Sequence, residues 1–428
     1  MGWSAPPRPD WVAAINRGEF PPIEQEARLP FQRDALLAEA RARFGLVDGG
    51  PGDFGAEDFP ADEMTEGLDS LLPALEEEAR LTTLGRWMAR RFLLRVLEVR
   101  MQLMQQLRAD PAVREEPIRR PLFVAGAPRT GTTFLFDLLS ADPGLRAPLG
   151  WELLRPLPPT DPERAERESD ARIGLAEREL VLPQTVESGL LPIHVYGARR
   201  PKECVSAMSY SFRSEEFTGR WRVPSYEAWL DRADLEPAYR MHRLVLQCLQ
   251  RGAEGQRRGR PWVLKSPVHL HALPTLLRTY PDAQIAITHR DPLVVLASLT
   301  SLIATLRHAH SDEVDYTALA RTHAQRYERS FAKLVEWSDA GALPEEQAHH
   351  CLHADLLEAP LGVVDDLCAR FGRRLDGEAR EKIEAAAAAR PRGEHGAHAY
   401  DFEALGLDRD STRAAFAGYR RRFGVPEE

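Results

Sequence analysis

Residues 126–133, Gly126-Ala127-Pro128-Arg129-Thr130-Gly131-Thr132-Thr133, have the composition of a turn that holds an anion. The turn lies between a short apolar run, Leu122-Phe123-Val124-Ala125, and a helical pattern. At such a strand–turn–helix junction the backbone N–H groups converge on one concavity, and the helix N-terminus adds partial positive charge. The glycines keep the spacing of GxxxxGK[ST], but Thr132 stands in the lysine position. Where that lysine is present it reaches the β- and γ-phosphates, and the hydroxyl beside it holds magnesium. Without it the loop suits a smaller anion at the 5′ end of a nucleotide, steadied from another direction. Arg129, inside the loop, brings a bidentate fork for that purpose.

Two further groups belong to the same chemistry. In Thr288-His289-Arg290-Asp291-Pro292, Asp291 can cap a helix and Pro292 suits its first position. Six helical steps from Pro292 to Ser298 rise only about 9 Å. An extended Arg290 and the Ser298 hydroxyl can therefore meet at one phosphate, although an Arg–Asp surface pair at a helix cap explains the same turn. Lys265 ends the run Trp262-Val263-Leu264 and precedes Ser266-Pro267. That places it at the carboxyl end of a sheet, the end where the phosphate loop sits.

Pro128-Arg129-Thr130-Gly131-Thr132-Thr133 matches P-[KR]-[ST]-G-T-T, the 5′-phosphosulfate loop of the sulfotransferase superfamily that uses 3′-phosphoadenosine 5′-phosphosulfate. The chain resembles that superfamily from about residue 121 to 424. Its arginine form is similar to the tyrosylprotein sulfotransferases and a large bacterial branch. The resemblance implies a donor held at the 5′ side by Arg129, Thr130, Gly131, Thr132 and Thr133. It implies a 3′-phosphate on Arg290 and Ser298, an arginine at a strand end and a serine eight residues later. Arg392, in Arg392-Gly393, is the nearest match to the basic-glycine segment that completes this site in relatives.

The reaction so implied is in-line transfer of a sulfuryl group to a hydroxyl acceptor, with Lys265 at the bridging oxygen of the leaving phosphate and no metal required. General-base assistance falls to one of two residues. Glu152, in Leu149-Gly150-Trp151-Glu152, matches the catalytic glutamate of tyrosylprotein sulfotransferases if two residues are inserted, and is preferred. His269 is the rival: Lys265-Ser266-Pro267-Val268-His269 is two residues longer than the Lys-Thr-His motif of the cytosolic enzymes. The acceptor class is left open among phenols, steroids, lipids, sugars and peptides, because it depends on a variable pocket. A P-loop metabolite kinase would need the missing lysine and a magnesium-binding acid. A non-catalytic nucleotide-binding homologue would have no use for Lys265.

These side chains require a particular scaffold. Residues 122–125, 262–264 and 285–288 are apolar runs that each lead into a helical pattern, the signature of a parallel sheet with crossover helices. A fourth strand is expected at 348–353, followed by a helix over 361–371. The fold class is α/β, a P-loop-like parallel sheet flanked by helices, with a helical N-terminal extension. Residues 1–118 are expected to form that helical region, packed on a transferase domain over 119–428 that ends in a closing segment, 377–428. Leu84, Trp87, Met88, Phe92, Val96, Val99, Leu103 and Leu107 recur at helical spacing, so 81–107 reads as a long amphipathic helix facing the core. Phe134 suits either adenine or the core. Trp221, Tyr226, Trp229 and Tyr239 suit either the core or an acceptor pocket. His349, His350 and His353 lie on a strand whose neighbours point to opposite faces, which disfavours metal binding.

Composition sets the outer limits. The 428 residues carry a formal net charge of −9, which argues against nucleic-acid binding by bulk charge while leaving room for a local basic pocket. The four cysteines form no CxxC pair and read as reduced thiols of a cytoplasmic protein. No apolar stretch reaches the length of a transmembrane segment or a signal peptide. The expected partner is a small-molecule hydroxyl acceptor.

Overall fold

The computed structural model describes residues 3–45, 51–158, 171–191, 196–252, 259–389 and 402–428. At its centre are four parallel strands in the order β2-β1-β3-β4. They are β1 (Leu122–Ala125), β2 (Val263–Lys265), β3 (Gln284–His289) and β4 (Ala348–Leu352). Phe123 of β1 pairs with Leu264 on one side and Ile285 on the other. The chain thus leaves β1 for one neighbour and later crosses over to the other. This reversal opens a crevice at the carboxyl ends of β1 and β3.

Every residue of β1, β2 and β3 is buried. Parallel strands covered by helices on both faces need continuous apolar runs, which is why these segments are short and unbroken. Side-chain alternation divides them between two cores. Phe123, Ala125, Leu264, Ile285 and Ile287 face the larger core. Leu122, Val124, Val263 and Ala286 face a smaller one, shared with Phe134, Leu135 and Leu138 of the helix Thr132–Ser140. Lys265, two residues after Val263, emerges on this second face, the one that carries the phosphate-loop helix.

The N-terminal helices share the larger core, which runs from Phe31 to Val425. The longest, Thr83–Ala109, starts at Thr82, whose side chain accepts a hydrogen bond from the Gly85 N–H. Its arginines are not a surface stripe: Arg90, Arg95 and Arg100 are buried. Arg95 pairs with Glu179 at 2.8 Å. The Arg100 guanidinium donates to the carbonyls of Phe54 (2.7 Å) and Tyr210 (2.9 Å), and at 3.4 Å to those of Phe59 and Pro60. Burial pushes its pKa down to about 9. One side chain so joins the 54–60 segment to the loop at Tyr210.

Trp221, Tyr226 and Tyr239 are core residues, with Trp229 packed against them. The four cysteines are buried free thiols. No helix among the described residues is long and apolar enough to cross a membrane. Arg100→Met nearly keeps the volume but takes the guanidinium from the Phe54 and Tyr210 carbonyls, so the variant should lose about 2–4 kcal/mol of stability, readable as a lower midpoint in urea unfolding.

Candidate active site

The turn after β1 depends on backbone that few side chains allow. Gly126 has φ 139°, and a Cβ there would lie 2.4 Å from Thr288 Oγ1. Gly131 has φ 94°, and a Cβ would meet Leu356 Cδ2 at 2.8 Å. Between them Arg129 is left-handed, with φ 71°. Thr130 faces inward: its hydroxyl donates to the Ala127 carbonyl (2.7 Å) and shares a hydrogen bond with the Thr288 hydroxyl (2.6 Å), tying the loop to the end of β3. Its backbone N–H also turns back to the Ala127 carbonyl, at 3.4 Å. Thr132, in the position of the absent lysine, is buried at the start of the helix.

Arg129 connects the two expected phosphate sites. Its Nε donates to Ser298 Oγ at 2.9 Å, and its carbonyl accepts from Arg290 Nη1 at 3.1 Å. Arg290 and Ser298 are thus brought together by way of Arg129. The outer edge of the Arg290 guanidinium lies on the Glu428 carboxylate, with Nη2 at 2.8 Å and Nε at 3.0 Å. Glu428 is held there by its own N–H, which donates to Asp291 Oδ2 (3.0 Å), while Asp291 Oδ1 caps the helix Pro292–His308 at Leu293. Beside it, His289 bonds the Tyr419 hydroxyl and His350, both at 2.8 Å, and stacks on Phe423. These contacts dock the helix Ala417–Phe423 against β3 and β4.

Lys265 is 2% exposed. Its Nζ donates to Thr133 Oγ1 at 3.1 Å and to Glu203 Oε1 at 2.5 Å. Its carbonyl accepts from the Cys204 N–H (3.0 Å), which ties Cys204 to the end of β2, while the Lys202 N–H donates to the Pro148 carbonyl (2.9 Å). Glu203 escaped the sequence reading. It sits in Pro201-Lys202-Glu203-Cys204, outside any motif, and its contact with Lys265 crosses 62 residues.

Neither expected base is a hydrogen-bond partner of Lys265, whose ammonium is taken by Thr133 and Glu203. Glu152 is 2% exposed, and both its oxygens are engaged. Oε1 pairs with Arg146 at 3.1 Å, and Oε2 accepts from the Leu149 N–H at 2.9 Å, capping the helix Gly150–Leu154. Arg146 in turn lies over the Trp262 ring. His269 packs edge-on against Phe123, which faces the larger core, whereas Lys265 emerges toward the smaller one. Its Nδ1 bonds the Tyr239 hydroxyl at 2.9 Å, and burial holds its pKa well below the ordinary value. Arg392 lies outside the described residues. Phe134 packs in the smaller core.

Three cations, Arg129, Arg290 and Lys265, and one helix N-terminus therefore meet at the carboxyl edge of the sheet. Two of them lie on carboxylates, Arg290 on Glu428 and Lys265 on Glu203, in a chain whose net charge is −9.

Comparison with known proteins agrees with this geometry. Residues 121–377, more than half of the chain, match the model of the sulfotransferase family. Over 260 residues the chain is 27% identical to the omega-hydroxy-beta-dihydromenaquinone-9 sulfotransferases Stf3 of Mycobacterium bovis and Mycobacterium tuberculosis. That match covers 59% of this chain and 62% of theirs, less than two thirds of their length. The crystal structure of sulfotransferase STF1 from Mycobacterium tuberculosis H37Rv superposes with a TM-score of 0.74 at 30% identity, covering 90% of this chain and 98% of that one. Sulfotransferase STF9 from Mycobacterium avium gives a TM-score of 0.78 at 24% identity, covering 94% and 99%. The phosphate loop, the cations around it and the match across the sheet together place this chain in the sulfotransferase family.

Proposed function

We propose that the protein transfers a sulfuryl group from 3′-phosphoadenosine 5′-phosphosulfate to the hydroxyl of a small-molecule acceptor. The observation that carries this reading is the pairing of a phosphate loop lacking the Walker lysine with three cations from separate elements. Loop N–H groups and the helix N-terminus suit the 5′ side of the donor. Arg129, Arg290 and Ser298, already linked, suit the 3′-phosphate and the edge of the loop. Lys265, on Thr133 at the first turn of the same helix, is placed to neutralise the leaving oxygen. A 3′-phosphate on Arg290 would take over the fork that Glu428 now fills, so its carboxylate is a stand-in for that phosphate. A kinase reading is disfavoured because Thr132 cannot reach a γ-phosphate.

The acceptor side is less constrained. The mycobacterial relatives act, by name, on an omega-hydroxy compound, which supports a hydroxyl acceptor here. The family match lies within 119–428, the segment we assign to the transferase domain, on which the helices of the first 118 residues pack. Buried free thiols support a cytoplasmic setting.

Arg129→Ala and Arg290→Ala should each weaken adenosine 3′,5′-bisphosphate binding by about 1.5–3 kcal/mol, the range for charge-assisted hydrogen bonds. Titration calorimetry checks this, and wild-type affinity in both variants would remove the reading. The same titration with ATP and magnesium should give affinity at least about tenfold lower than the bisphosphate, because ATP offers Arg290 and Ser298 no 3′-phosphate. Glu428→Gln should act in the opposite direction. Removing a competing, partly exposed carboxylate should tighten bisphosphate binding by about two- to fivefold, the worth of a screened surface pair.

A further inference from the structure

We infer that Glu203, not Glu152 or His269, takes the proton from the acceptor hydroxyl. This inference rests on the sulfuryl-transfer reading and adds a residue to it. A general base must come within hydrogen-bond reach of the proton it removes, so geometry is the first criterion. Both Glu152 oxygens are already engaged, one by Arg146 and one in capping its own helix. His269 is enclosed by Phe123 and Tyr239 on the far side of the sheet from Lys265. The Glu203 side chain is 25% exposed and touches the Lys265 ammonium. Among the described residues it is the carboxylate that both contacts this centre and reaches solvent, from where an acceptor must come.

The placement follows from the reaction's own geometry. In an in-line displacement the entering and leaving oxygens lie on opposite sides of one sulfur. The Lys265 ammonium has three N–H donors, and its protein partners are Thr133 and Glu203. An ammonium lying alongside the transferring group can hold the bridging oxygen with its remaining donor while the carboxylate on its other side meets the entering hydroxyl. The step balances without a further reactant. The acceptor oxygen bonds to sulfur as its proton passes to Glu203. The bond between sulfur and the bridging oxygen breaks, and the electron pair leaves with the 5′-phosphate, neutralised by Lys265. Glu203 returns its proton to solvent after the product departs.

The competing role for Glu203 is to position Lys265, and the two differ in their dependence on the acceptor. A base matters most when the hydroxyl holds its proton tightly, whereas a positioning residue is needed equally by all acceptors. Turnover of the full chain is to be measured with 4-nitrophenol, phenol and a primary alkyl alcohol as probes, in wild type, Glu203→Gln, Glu203→Asp and Glu152→Gln. Bisphosphate affinity and thermal melting of each variant report whether the donor site and fold are intact. Glu203→Gln should keep donor affinity within about threefold and lose about 10²–10⁴ in turnover of the alcohol, the usual worth of a base, with a loss under about tenfold for 4-nitrophenol. Glu203→Asp should recover part of the loss. Any loss in Glu152→Gln should be uniform across the three. Equal losses on all probes in Glu203→Gln, unchanged turnover, or a graded loss in Glu152→Gln would overturn the assignment. A wild-type protein that neither binds the bisphosphate nor transfers to any probe would overturn the reaction itself.

Discussion

Like charges gathered at one sheet edge repel, and the arrangement around β1 and β3 is built to contain that repulsion. Arg129, Arg290 and Lys265 lie at the carboxyl ends of the strands, and each has a partner that fixes it. Ser298 holds Arg129, the Arg129 carbonyl and Glu428 hold Arg290, and Thr133 and Glu203 hold Lys265. Preorganised charge stabilises a transition state without reorganising during the reaction, which is the reason to hold cations in place by neighbours and not by the ligand alone.

The rest of the fold can be understood as support for these contacts. β1 is central, so the phosphate loop emerges between the strand that ends in Lys265 and the strand that ends at His289, directly before Arg290. The C-terminal helix is clamped by His289, Tyr419 and Phe423, and this carries Glu428 to Arg290. The N-terminal helices continue the larger core and use buried arginines as cross-ties between loops. Arg100 is the plainest case, a guanidinium surrounded by carbonyls with its charge sustained at low solvent access.

The two base candidates read from the sequence each have partners of their own in the fold. Glu152 follows the phosphate-loop helix at nearly the anticipated spacing, and the cap of a short helix and the nearby Arg146 engage both its oxygens. His269 follows Lys265 closely in the chain, but the turn at Ser266-Pro267 carries it to the other face of the sheet. A spacing along the chain says how far a side chain can be. It does not say to which side of a strand a following turn will send it.

Local chemistry was legible in the residues alone. The phosphate loop, the cap at Asp291 and Pro292, the four strand segments and the long helix over 83–109 all follow from short-range rules: periodicity, backbone freedom at glycine and the fixed φ of proline. Periodicity also marked the buried face of that long helix, but not the burial of Arg90, Arg95 and Arg100, because charged residues signal exposure until a partner is known. Two contacts of the site were beyond such rules altogether. Glu203 meets Lys265 only because Cys204 bonds to the end of β2, and Glu428 meets Arg290 only because an aromatic cluster docks the last helix. Sequence by itself determined which residues could bind an anion. Tertiary structure decided which carboxylates face those cations, since that choice depends on contacts between segments that no local pattern encodes.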